Sequence, residues 1–281
     1  MRGFAVTRRK SPSGWWAVAV LAALFALGPQ GAFAGTIRVS GTGGAIGTMR
    51  ILGEEFEKIH PDTRVVVMPS IGTSGAIKAV IAGDLDVGVA TRTANTEECA
   101  GGCVARAYAR TPFVFGVSRD VAETRVTLAE AADIYAGKKI RWANGTRLRL
   151  VVRPPGESDI DILKGMSPEL SVAVESALHR DGMILALTDQ DSADVIEKTP
   201  GAFGALTLSL VVSEKREVRV LALDGIVPSV RSLRDGTYRY AKTFHLVTRR
   251  NAPPAVRQFV DFVRSPAVRA ILSKNGQAAV Q

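Results

Sequence analysis

The segment Ser40-Gly41-Thr42-Gly43-Gly44-Ala45-Ile46-Gly47 stands between a short strand, Thr36–Val39, and an amphipathic helix expected from about Thr48 to Ile59. A strand that runs into glycines and a threonine just before a helix leaves the first helical N–H groups without intrahelical partners, aimed at whatever lies in the turn. A second copy follows. The run Val65–Met68 reads as a parallel strand covered on both faces. It leads into Pro69-Ser70-Ile71-Gly72-Thr73-Ser74-Gly75-Ala76 and a helix from about Ile77 that Gly83 ends. With Asp86–Ala90 as a third strand, the pattern implies a right-handed α/β unit with both turns at the carboxyl edge of the sheet, where open α/β sheets bind ligands.

The common nucleotide motifs do not fit these turns. Gly41-x-Gly43-x-x-x-Gly47 is one residue longer than the dinucleotide fingerprint, and no acid follows Met68. No Gly-Lys-Ser/Thr follows either turn, which excludes a P-loop. Taken singly, each turn also has a plain reading as a strand-to-helix connection with its N-cap.

Arg2, Arg8, Arg9 and Lys10, an apolar stretch from Trp15 to Leu27 and Ala32-Phe33-Ala34 form the pattern of a secretory signal peptide, with cleavage expected after Ala34. The apolar stretch is short for a permanent span. The leader holds four of the 36 basic residues and none of the 27 acidic ones, so the formal charge falls from +9 to +5 without it. Basic runs interleaved with aromatics are missing, which argues against nucleic-acid binding. Cys99 and Cys103 are the only cysteines. In an exported chain a disulfide across their small loop is favoured over a metal site, for no histidine lies nearby.

Further on, Thr111–Ser118 is apolar and suited to crossing between lobes. The strand Leu148–Arg153 ends in Pro154-Pro155-Gly156-Glu157-Ser158-Asp159, a third polar turn before a helix from about Ile160. Arg153 has the fork that matches an oxyanion, with a surface charge as its plain reading. Arg92, at the end of the third strand, reads equally as a surface ion pair. Asp189 and Asp191 read as a loop followed by an N-cap. Leu206–Val212 and Val218–Leu223 read as strands, Tyr240–Thr248 as a return strand, and Val256–Leu272 as closing helices. His179 and His245 sit in no catalytic motif, and no Gly-x-Ser-x-Gly elbow occurs, so an enzyme is not expected.

The two glycine turns, Asp86-Val87-Gly88-Val89-Ala90-Thr91-Arg92, Ile134–Trp142, Pro200-Gly201-Ala202-Phe203-Gly204-Ala205, Leu221–Ser229 and Asp235-Gly236-Thr237-Tyr238 together resemble the phosphate-binding, periplasmic-type solute-binding proteins of ABC transporters. The resemblance covers essentially the whole chain after the leader. It implies an α/β, two-lobed periplasmic-binding-protein fold of type II, with a ligand cleft between lobes joined by two crossover strands. One lobe would be residues 35–113 plus 243–281, the other 114–242. It implies a small oxyanion ligand, phosphate favoured, no cofactor or metal, a permease partner in the inner membrane, a monomer and a periplasmic location. Carried over by position, the ligand residues are Thr42, Gly43 and Gly44 from the first turn, Thr73, Ser74 and Gly75 from the second, and Arg153 and Ser158 from the other lobe. The family's third turn usually reads Arg-x-Asp-x-Ser-Gly-Thr, and phosphate-selective members can carry an aspartate where this chain has Thr91-Arg92. Glu157 or Asp159 would either take that aspartate's part or repel anions. Another anion, an organic solute or a signalling role on the same fold stays open.

Overall fold

The computed structural model of the protein describes residues 35–100 and 102–280, apart from Met1 and Gly3. The leader expected at 1–34 and its cleavage point lie outside the described residues. The chain starts with β1 (Gly35–Gly41), α1 (Gly43–Ile59), β2 (Thr63–Val67), α2 (Gly72–Ala82), β3 (Val87–Ala90) and α3 (Thr96–Ala100). β1 lies parallel between β2 and β3, as the repeated strand–turn–helix pattern requires. In α1, Met49, Leu52 and Phe56 turn into the core at helical spacing while Glu54 and Lys58 stay exposed. Gly83 closes α2 in the left-handed conformation, φ 87°.

The long strand β4 (Cys103–Val117) joins the two halves of the molecule. The second half holds β5 (Arg125–Val126), α4 (Leu128–Tyr135), β6 (Arg149–Val152), α5 (Ser158–Lys164), α6 (Pro168–Leu178), β7 (Ile184–Leu185) and α7 (Asp189–Lys198). It continues through β8 (Ala202–Thr207), α8 (Leu208–Ser213), β9 (Arg219–Val220), β10 (Ala222–Leu223) and α9 (Val230–Arg234). The chain then returns through β11 (Ala241–Arg249) to α10 (Pro254–Arg264), α11 (Arg269–Lys274) and β12 (Ala278–Ala279). From Cys103 to Pro112, β4 pairs antiparallel with β11; from Phe113 to Val117 it pairs with β8 instead. That exchange of partner within one strand makes β4 and β11 the crossovers of a two-lobed α/β fold. Each half has its own core, one around Phe56, Tyr108, Phe244 and Phe259, the other around Phe115, Tyr135, Trp142 and Phe203.

Three local expectations are corrected. α1 begins at Gly43 and α2 at Gly72, each several residues before its expected start, so the glycine turns are themselves the first helical turns. The glycines of α1 serve a close approach to the other half: a Cβ on Gly44 would stand 2.6 Å from Thr207 Oγ1, and one on Gly47 2.4 Å from Ser213 Oγ. β2 is the edge strand of its sheet, so its residues alternate between half-buried and exposed rather than being covered on both faces. Finally, the stretch read as a strand over Leu206–Val212 turns helical at Leu208. There the Thr207 hydroxyl accepts from the Leu210 N–H and caps α8, overriding the β preference of its apolar residues.

Candidate functional site

A cleft of about 440 Å³ opens between the halves. One wall is the first turn of α2, Gly72–Gly75, with Thr91 and Arg92 from the end of β3; the facing wall is Gly156, Glu157, Ser158, Asp161 and Ile162. The start of β11, Ala241–Thr243, forms its floor. Along the first wall the polar groups are tied together. The Thr73 and Thr91 hydroxyls lie 2.9 Å apart, the Thr91 N–H donates to Thr73 Oγ1 at 3.0 Å, and Arg92 donates to Ser74 Oγ at 3.3 Å. Arg92 also pairs with Glu98 at 2.7 Å, whose carboxyl that guanidinium holds down at about 2. Its expected reading as an ion pair at a strand end therefore holds, and its guanidinium still lines the cleft.

The first glycine turn faces elsewhere. Thr42 is buried, and its hydroxyl lies 3.4 Å from Asp189 Oδ2; the Gly44 N–H donates to the same oxygen at 3.3 Å. Asp189 is the first residue of α7, so the N-termini of α1 and α7 converge on one carboxylate, where both helix dipoles favour negative charge. Its neighbour Gln190 donates to the Gly43 carbonyl at 3.0 Å and to Glu214 at 2.9 Å, and Ser209 donates to the Gly44 carbonyl at 2.6 Å.

Behind the cleft floor lies an ionic cluster. Lys242 donates to Asp159 Oδ1 and stands 3.5 Å from Asp189 Oδ1, with its side chain only 1% exposed. Arg153, 6% exposed, donates to the Ala186 carbonyl at 2.9 Å and meets Glu157 at 3.2 Å. For Asp189 burial pushes the pKa up, but Lys242, Arg153 and the Gly44 N–H outweigh it and hold the carboxyl below its ordinary range. Asp159 goes the other way: burial raises it, and the like charge of Asp189 adds to what Lys242 offsets only in part. Burial pulls Lys242 down, yet the two carboxylates raise it on balance, so the ammonium is charged. Oδ2 of Asp159 and Nε of Arg153 are buried without a hydrogen-bond partner among the described residues.

Of the residues expected at the ligand, Thr73, Ser74, Gly75 and Ser158 line the cleft together. Thr42, Gly43 and Gly44 meet the α7 N-terminus instead, and Arg153 sits in the buried cluster beside it. Sequence reasoning missed Lys242 and the part played by Asp159 and Asp189. Lys242 stands in the same alternating phase of the return strand as the apolar Phe244 and Leu246, and that was the available signal for the first. Asp191, expected in a loop ahead of the helix, lies instead in the first turn of α7, where it accepts from the N–H of the N-cap Thr188. Cys103 is buried with Sγ 3.7 Å from the Glu98 carbonyl, while the side chain of Cys99 lies outside the described residues, and with it the expected disulfide. Among the described residues no His/Cys/Asp/Glu group is placed to hold a metal ion.

Two α/β halves joined by crossover strands, with a polar cleft lined by a helix start from each half, define a two-lobed binding protein. The family described as "PBP superfamily domain" matches residues 29–267, and the chain belongs to that superfamily. It is 30% identical over 82 residues to phosphate-binding protein PstS 2 of Streptococcus agalactiae, a match covering 29% of this chain and 27% of that relative. Among solved structures, one described as a phosphate ABC transporter substrate-binding protein with bound phosphate, from Clostridium perfringens, superposes with TM-score 0.72 at 20% identity, over 88% of this chain and 100% of that one. The phosphate-bound periplasmic phosphate-binding protein PfluDING superposes with TM-score 0.65 at 10% identity, over 87% and 90%. At these identities the structures establish the shared fold.

Proposed function

We propose that the protein is an exported solute-binding protein that captures a small oxyanion, phosphate foremost, and presents it to an ABC permease in the inner membrane. One observation carries the reading: Thr73, Ser74, Gly75 and Ser158, from opposite halves of the molecule, meet in one cleft beside Arg92. The phosphate-binding relatives support the choice of ligand. The hydroxyls, the α2 N–H groups and Arg92 replace a hydration shell, and charge-assisted hydrogen bonds are each worth about 1.5–3 kcal/mol. A few of them, less the cost of ordering and closure, support micromolar capture. We assign the lobes as 35–113 with 243–281, and 114–242, because β4 exchanges β11 for β8 at Pro112–Phe113. Closure hinges on β4 and β11. The leader places the mature chain in the periplasm, where it acts as a monomer and as a binder rather than a catalyst.

A second reading has its own observation. Glu157 and Asp161 line the same cleft, and carboxylates favour a solute that brings a proton or other donor, such as an organic acid. Calorimetric titration of the mature, ligand-stripped protein with phosphate, and with sulfate, molybdate and small organic acids as controls, separates the two. Micromolar phosphate binding that weakens in Ser158→Ala supports capture at this cleft. Heat from an organic acid alone replaces the ligand, and no response to any oxyanion overturns the proposal.

A further inference from the structure

The α1 turn has the composition of an anion site, and it is filled from within the chain. Asp189 approaches it from the second half of the molecule, with Oδ2 3.3 Å from the Gly44 nitrogen and 3.4 Å from the Thr42 hydroxyl, while Oδ1 faces Lys242 at 3.5 Å. Space for a further group is missing as well. A Cβ on Gly43 would stand 2.8 Å from Asp189 Oδ2 and 2.3 Å from Gln190 Oε1. The buried charges already balance: Lys242 and Arg153 face Asp159 and Asp189, all in the low-dielectric interior where an added anion would find no unmatched cation.

We propose that Asp189 is a built-in anion: its carboxylate takes the α1 turn in place of a solute oxyanion, so the captured solute is held without the α1 turn, between the α2 turn and the wall facing it, by Thr73, Ser74, Gly75 and Ser158 beside Arg92. The second half of the statement rests on the oxyanion-capture reading; the first does not. Asp189 thereby determines which of the two glycine turns contacts solute. It also carries negative charge close to the cleft floor, so it limits how much anionic charge the bound solute brings. Lys242 keeps Asp159 as its partner when Asp189 is removed, so truncation empties the turn without stranding the lysine.

The test is rescue of the mature Asp189→Ala protein by an external carboxylate. Its melting temperature is expected several degrees below wild type in chloride buffer and to recover when formate is added, whereas wild type does not respond to formate. A crystal of the variant grown with formate should show the ion within hydrogen-bond distance of the Gly44 nitrogen. No recovery with formate, acetate or phosphate overturns the built-in anion. Asp189→Asn keeps the shape without the charge, and it too should melt below wild type and be indifferent to formate; melting like wild type overturns the proposal. Phosphate titration separates this inference from the reading beneath it. Formate rescue in a protein that takes up no oxyanion overturns capture and supports the built-in anion, while oxyanion uptake without rescue does the reverse.

Discussion

The Thr73 and Thr91 hydroxyls meet at 2.9 Å, and the Thr91 N–H donates to the same Thr73 oxygen, so one side chain ties the first turn of α2 to the end of β3. Thr73→Val keeps the shape and deletes the oxygen. Leaving the Thr91 N–H without its acceptor costs about 1–3 kcal/mol of stability, measurable by urea unfolding. Phosphate affinity in the same variant should fall by about tenfold, equivalent to about 1.4 kcal/mol. A variant that loses stability but binds phosphate as wild type would remove Thr73 from the solute shell.

Lys242 lies under the cleft floor against two carboxylates, so Lys242→Met leaves Asp159 and Asp189 without their ammonium. Breaking a buried ionic cluster from one side costs about 3–5 kcal/mol. Asp159→Leu in the same chain should return much of that loss, because Asp189 retains Arg153 and the α1 N-terminus while the stranded Asp159 charge is gone. Chemical denaturation of both single variants and the double variant checks the sign; strictly additive losses would show that Lys242 and Asp159 do not act as a pair.

The α/β class, the tandem strand–turn–helix units and the crossover at Thr111–Ser118 were legible because they rest on local signals: glycine before a helix, apolar spacing and runs of β-branched residues. Helix starts were read too late at Gly43 and Gly72. Glycine is ordinarily a weak helix former, and the approach of Asp189 and Gln190 at Gly43, Thr207 at Gly44 and Ser213 at Gly47 explains its use inside α1. The second turn and Ser158 line one cleft, and each follows a strand end and opens a helix. The Asp189–Lys242 contact joins residues 189 and 242 from different elements, and no spacing rule reaches across such a distance. Burial decided the rest. An aspartate that reads as a cap residue becomes a ligand for another helix only when the tertiary fold brings the two N-termini together.

Glu98 gives the acid limb of the stability profile a marker. Its hydrogen bond and ion pair with Arg92 hold its carboxyl at about 2, below the ordinary 4.5. A carboxyl depressed by folding stabilises the native state above its unfolded pKa, and the contribution is lost as pH falls through the folded value. The loss is therefore expected between about pH 4.5 and 2. In Glu98→Gln the wild-type advantage should be full at pH 6 and shrink across that window, read from melting temperatures at closely spaced pH values. A difference independent of pH would assign the contribution to packing.

Glycine in the first turn of α1 serves either the ligand or the packing, and Gly44→Ala decides between them. Its Cβ would meet Thr207 Oγ1 at 2.6 Å, Thr207 Cγ2 at 3.2 Å and Phe244 Cζ at 3.3 Å. Thr207 cannot swing freely, because its hydroxyl accepts from the Leu210 N–H and lies 3.3 Å from Ser209 Oγ. Overpacking of this kind costs about 1–3 kcal/mol. The variant should therefore unfold at lower urea, and Thr207→Ser, which removes the Cγ2 methyl, should relieve part of that loss in the double variant. Phosphate affinity should change little, since the Gly44 N–H serves Asp189. The opposite pattern, wild-type stability with weakened phosphate binding, would return the first glycine turn to the solute.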